Sequence, residues 1–90
     1  MRENYRGFAF RYCKDVDSPG KVRIYVEQQP SYQGRPTDSH NTHRLNSGGG
    51  APPHICIKSE SKPSNLSEAQ NLAHQWARGT ENYIKYGRFK

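Results

Sequence analysis

Residues 7–14, GFAFRYCK, set Phe8, Phe10 and Tyr12 against Ala9, Arg11 and Cys13, and a period of two over that length predicts a strand. Residues 21–28, KVRIYVEQ, repeat the pattern, with Val22, Ile24 and Val26 on one face and Arg23, Tyr25 and Glu27 on the other. The intervening DVDSPG has Asp side chains that cap local N–H groups, a Pro that fixes φ and a Gly that accepts positive φ. Two strands of matched length about such a turn make an antiparallel hairpin. In residues 54–59, HICIKS, Ile55 and Ile57 alternate with His54, Cys56 and Lys58, which predicts a further strand. THRL at 42–45 is the place for a short one.

The C-terminal third changes period. Leu66, Ala69, Leu72, Ala73, Trp76, Ala77, Tyr83 and Ile84 follow helical spacing, while Glu68, Gln70, Asn71, His74, Gln75, Arg78, Glu81 and Lys85 take the other side. Asn65 with Glu68 reads as a capping box and Gly87 as the residue beyond the last turn, so one long helix is expected over 66–86. Gly79, inside that run, marks a kink or a close approach. Tyr86 and Phe89 lie among Lys85, Arg88 and Lys90, a basic aromatic tail that packs on the sheet edge or forms an interaction patch.

A hairpin alone is marginal in water, and the sizeable apolar surface elsewhere is the helix stripe around Leu72, Trp76 and Ile84. Phe8, Phe10, Tyr12, Val22, Ile24, Val26, Ile55 and Ile57 should face it. The expected fold is α+β: an antiparallel sheet of three to four strands with one long C-terminal helix packed on one face, in the order β-β-(β)-β-α. Residues 1–90 then form one small domain, with 29–53 as a long loop region that holds the short strand at 42–45 and the glycine- and proline-rich NSGGGAPP at 46–53. The layout is similar to that of several small DNA-binding modules, including the arm-binding domains of phage integrases, an analogy of architecture that transfers no residue.

Parity leaves the opposite sheet face to Arg11, Arg23, Tyr25 and Lys58, with Arg44 beside them. Charge makes that face interesting: 14 Lys and Arg against 8 Asp and Glu give a net charge of +6, at a sequence pI near 9.6. Such a balance favours DNA or RNA first and an acidic protein surface second. Arg11, Arg23, Arg35, Arg44 and Lys58 are the candidate phosphate-positioning cations, and Tyr25 is the candidate stacking residue. With 31% hydrophobic residues and a mean hydropathy of -1.14, a large cofactor fold, a multi-step enzyme and an integral membrane protein are excluded. No apolar run reaches the length of a leader's core or a membrane span, so a cytoplasmic location and two reduced thiols, Cys13 and Cys56, are expected.

Other chemistry fares less well. His40 with His43, and His54 with Cys56, miss the spacings of common zinc ligand pairs, so neither a metal nor another cofactor is expected. Asp38, Ser39, His40, His43 and Arg44 contain the acid, base and cation of a metal-independent ribonuclease, but such residues in a loop mostly serve turns. The leading expectation is a small, basic, non-enzymatic nucleic-acid-binding accessory protein. A protein-binding effector or inhibitor of the kind that mobile genetic elements encode is the alternative, and the ribonuclease ranks below both. An uncovered edge at 7–14 or 54–59 would allow an edge-paired homodimer as well as a monomer.

Overall fold

A computed structural model describes residues 1–89 and realises the alternating segments as the centre of an antiparallel sheet, with order β1-β2-β3-β5-β4. The strands are β1 (Arg2–Tyr5), β2 (Phe8–Lys14), β3 (Val22–Gln28), β4 (Arg44–Leu45) and β5 (His54–Ile55), and the helices are α1 (Ser39–Thr42) and α2 (Leu66–Tyr86). The arrangement is α+β, as the periodicities require, with five strands rather than three or four. Helix α2 crosses one face, and Phe8, Phe10, Tyr12, Ile24, Val26 and Ile55 are buried against Ala69, Ala73, Trp76 and Ala77. Trp76 meets the rings of Phe8 and Phe10 edge-on, at centroid distances of 5.8 and 6.2 Å.

Strand β1 is the element that alternation did not reveal, because RENY has no apolar face. Tertiary partners make it a strand. Arg6 and Gly7 both take positive φ, 49° and 84°, the two-residue turn whose twist suits a hairpin, and Tyr5 pairs with Phe8. Glu3 lies on the helix side, where it accepts hydrogen bonds from the Tyr12 hydroxyl at 2.7 Å and from His74 Nε2 at 3.1 Å. Tyr5 stacks on the His74 ring, with centroids 3.9 Å apart. A polar residue at an inward position thus joins β1 to α2.

Two edge assignments are corrected. The segment expected as a strand over 54–59 pairs over His54–Ile55 alone, and neither it nor 7–14 is an edge; β1 covers β2, β4 covers β5, and the sheet ends at β1 and β4. The reason is a bow in the chain. Val26 donates its N–H to the Pro53 carbonyl and Val22 to the Pro63 carbonyl, at 2.8 and 2.9 Å. Between those anchors the chain leaves β3 and makes a 3-10 turn at Ser59–Ser61, which carries Lys58 off the sheet.

The long connection after β3 is docked on α2. Tyr32 is buried edge-on to Tyr83, the Tyr83 hydroxyl donates to the Pro36 carbonyl at 2.6 Å, and Trp76 Nε1 donates to the Thr42 carbonyl at 3.0 Å. Asp38 caps α1 by accepting from the Asn41 N–H. In α2, Asn65 accepts from the Glu68 N–H and Gly87, at φ 85°, closes the C-terminus. Gly79 is a close approach: a Cβ there would lie 2.5 Å from the Phe89 ring.

Candidate nucleic-acid interface

Residues that stand opposite α2 form the uncovered face of the sheet, and the pairings identify them. Arg2 lies across from Arg11, Arg11 from Tyr25, Cys13 from Arg23, and Tyr25 from His54. At its centre is a row. The Arg11 guanidinium sits over the Tyr25 ring at 4.6 Å, and the His54 ring meets Tyr25 edge-on at 6.3 Å. Glu27 clamps the cationic end, accepting from Arg2 Nε at 2.7 Å and Arg11 Nε at 2.9 Å. Those arginine bonds outweigh desolvation and hold the Glu27 carboxyl below its ordinary pKa. Two arginines on one carboxylate leave a net single positive charge.

The structure disperses the remaining sequence-derived cations. Arg23 does stand on this face, but its Nη2 donates to Asp15 at 3.3 Å and to Asp17 at 2.6 Å, so its charge is already matched. Arg44 pairs across from Ile55, which faces the helix, and so does not belong to the outer face; it donates to Gln29 Oε1 and lies over the Tyr32 ring. Arg35 donates to the Ile84 and Lys85 carbonyls, the last turn of α2, where a cation complements the helix dipole. Lys58 is exposed on the bow. Arg11, Tyr25 and Arg23 are therefore together on the sheet, and Arg35, Arg44 and Lys58 are elsewhere.

Sequence reasoning missed a buried charge cluster next to the row. Asp15 follows β2 with its carboxylate almost fully buried, bonded to Lys62 at 2.9 Å, to Arg23, and to the Asp17 N–H at 2.9 Å. Burial alone would raise its pKa, but Lys62, the Asp17 amide and Arg23 outweigh that and hold it low. These side chains rim a cleft of about 210 Å³, floored by Ile24, Ile55 and Ile57, that the bow opens beside β3. His54 walls it. Its Nδ1 is hydrogen-bonded to Ser47 Oγ at 2.7 Å, and burial, then Arg23, push its pKa below the ordinary histidine value. The β2–β3 hairpin brings Asp15 to Arg23, but no sequence signal linked them to His54 and Lys62, which arrive through the β3–β5 pairing and the Val22–Pro63 bond.

The loop constellations are separate. Asp38 caps α1, and its pKa is lowered chiefly by the Asn41 amide. His43 ends α1 at φ 52° with its ring 4.6 Å from Phe89, and His40 is exposed. Among the described residues no three His, Cys, Asp or Glu side chains gather in a metal-binding cluster, and Cys13 and Cys56 are both free thiols. No described helix is long and apolar enough to cross a membrane. Comparison with known proteins adds nothing to this geometry: no family model matches the chain, and neither a curated protein nor a solved structure is significantly similar to it.

Proposed function

We propose that this protein is a non-enzymatic accessory protein that binds single-stranded nucleic acid on the uncovered face of its sheet. The observation that supports this most is the row Arg11, Tyr25 and His54, an aromatic and guanidinium platform on a face that α2 leaves open. Bases have π-faces that stack on such side chains, and a splayed single strand offers them where a duplex does not. Charge plays the lesser part, since Glu27, Asp15 and Asp17 neutralise most of the cations on that face. The same reading places the protein in the cytoplasm, where free thiols persist.

The test is anisotropy with a labelled eight-nucleotide single strand. Tyr25→Ala should weaken binding by about tenfold, since stacking is worth about 1–3 kcal/mol per base, while Tyr25→Phe should keep most of it. Equal affinity for the parent and Tyr25→Ala would sink the proposal. A second reading, an acidic protein surface as partner, is favoured by one feature. Tyr86 is 64% exposed at the C-terminal end of α2, with Lys85 Nζ 5.4 Å from its ring and Arg88 exposed beside it. Tyrosine and arginine are enriched at protein interfaces. Capture of a nuclease-resistant partner that is lost in Tyr86→Ala with Arg88→Ala, but not in Tyr25→Ala, would select that reading.

A further inference from the structure

We infer that the cleft beside β3 is a pocket for one nucleotide, its base against Val22 and Ile57 and its phosphate on Arg23. The inference deepens the nucleic-acid reading and rests on it, because the pocket begins where the stacking row ends: His54 belongs to both. Size comes first. A cavity of about 150 Å³ lined by aliphatic side chains holds a benzene ring. The present cleft, at about 210 Å³, has room for a ring with exocyclic groups.

Chemistry comes second. Val22 and Ile57, both half-buried, offer an apolar surface to a ring above the core side chains of Ile24 and Ile55, while Arg23, Lys62 and His54 gather polar groups at the rim. The cations are placed in advance, because Asp15 holds Lys62 through Oδ2 and Arg23 through Oδ1. Arg23 also has a replaceable partner. Its shortest ion pair, 2.6 Å, is to Asp17, whose side chain is 71% exposed on the β2–β3 turn. That carboxylate occupies the position an incoming phosphate would take. Arginine binds a phosphate at least as well as a carboxylate, and Asp17 can swing into water while Asp15 stays in place. His54 spends Nδ1 on Ser47, and Nε2 has no protein partner among the described residues, which leaves it for a base edge.

The experiment titrates UMP and AMP separately into the protein and follows the methyl groups of Ile55 and Ile57 by NMR, beside the single-strand anisotropy measurement. Saturable millimolar binding of at least one mononucleotide, moving those methyls, is the expected result. Asp17→Asn should tighten it several-fold, because the negative charge that competes with a phosphate for Arg23 is removed. Leu45→Glu, an exposed change at the mouth of the cleft, should weaken it by about tenfold through repulsion. An oligonucleotide abasic at one position should then lose affinity in the parent and not in Leu45→Glu. If neither mononucleotide moves the methyls, or if Asp17→Asn and Leu45→Glu both leave binding unchanged, the pocket assignment is overturned. Oligonucleotide binding that still depends on Tyr25 would then leave the sheet-face proposal standing. If the oligonucleotide fails to bind and a mononucleotide does, the sheet-face proposal falls and the pocket remains.

Discussion

Asp15→Asn is the most informative perturbation of the fold, because one buried carboxylate holds three partners. The asparagine oxygen keeps the bonds from the Asp17 N–H and Arg23, but its amide group would face the Lys62 ammonium that now bonds Oδ2. Breaking a fully buried ion pair from one side costs about 3–5 kcal/mol. Here Arg23 and Lys62 retain 14% and 18% exposure, and Arg23 keeps Asp17, which argues for about 2–4 kcal/mol. A domain of this size loses about 4–8 °C of Tm per kcal/mol, so the variant should melt about 8–30 °C below the parent. Urea unfolding followed by circular dichroism gives the free energy, with Lys62→Met added to close a double-mutant cycle. Removal of the stranded ammonium should recover at least about 1 kcal/mol.

The same site has a pH signature. The Asp15 carboxyl is held below its ordinary value in the folded protein, so its stabilisation is full above about pH 4 and lost as pH falls through the folded pKa. The parent should therefore weaken below about pH 4 by more than Asp15→Asn does. A variant within about 0.5 kcal/mol of the parent, with an unchanged acid limb, would refute the account of Asp15 as the organising charge.

Other sites give independent checks. Thr80 Oγ1 is buried without a hydrogen-bond partner, so Thr80→Val, which keeps the shape, should stabilise the fold by about 1 kcal/mol in urea unfolding. Arg35→Ala removes a cation from the last carbonyls of α2 and should cost about 1 kcal/mol, with faster amide exchange confined to the end of that helix. Gly79→Ala gains about 1 kcal/mol of helix propensity but displaces the Phe89 ring; stability should change little while the ring-current shift on His43 disappears from the NMR spectrum. His54 has a lowered folded pKa, so protonation opposes folding, and a loss of stability should set in as pH falls below about 6.5 and be absent in His54→Gln.

Periodicity made the hairpin, α2 and the division of the sheet into two faces legible, because Phe8, Phe10, Tyr12, Ile24 and Val26 alternate and α2 repeats its apolar positions at helical spacing. It was silent on β1, where Glu3 and Tyr5 find their partners 71 and 69 positions along, on His74. Parity over-extended the last strand, since alternation at Ile55 and Ile57 persists after pairing stops at Ile55. Within the site, Arg11, Arg23 and Tyr25 were legible as outward positions of two paired strands. His54 was legible as a residue of that face, but its meeting with Tyr25 depends on how a 25-residue excursion returns, and local spacing contains no such information. Arg35 and Arg44 illustrate the opposite error: basic residues in a loop look available until the loop docks and they become donors to helix carbonyls and a glutamine.

Net charge and binding surface are separable in this fold. Of the cations, Arg2, Arg6, Arg11, Arg23 and Lys62 are paired with carboxylates. Lys14, Lys21, Lys58, Arg78, Lys85 and Arg88 have none within ion-pair distance among the described residues, and they lie off the stacking row, at the end of β2, in the β2–β3 turn, on the bow, and on or just beyond α2. On the proposed reading the excess charge would act on an approaching strand from a distance, where salt screens it over about 8–10 Å, while the row would act by contact. For a single strand, each neutralised phosphate contributes about −0.7 to the slope of log K against log salt. One net positive charge on the row, with one more if a phosphate displaces Asp17 from Arg23, limits the slope to about −0.7 to −1.4. A protein that used its whole +6 by contact would approach about −4. A shallow slope thus belongs to binding by stacking on the face that parity selects, and a steep one would move the interface to the lysines and arginines around α2.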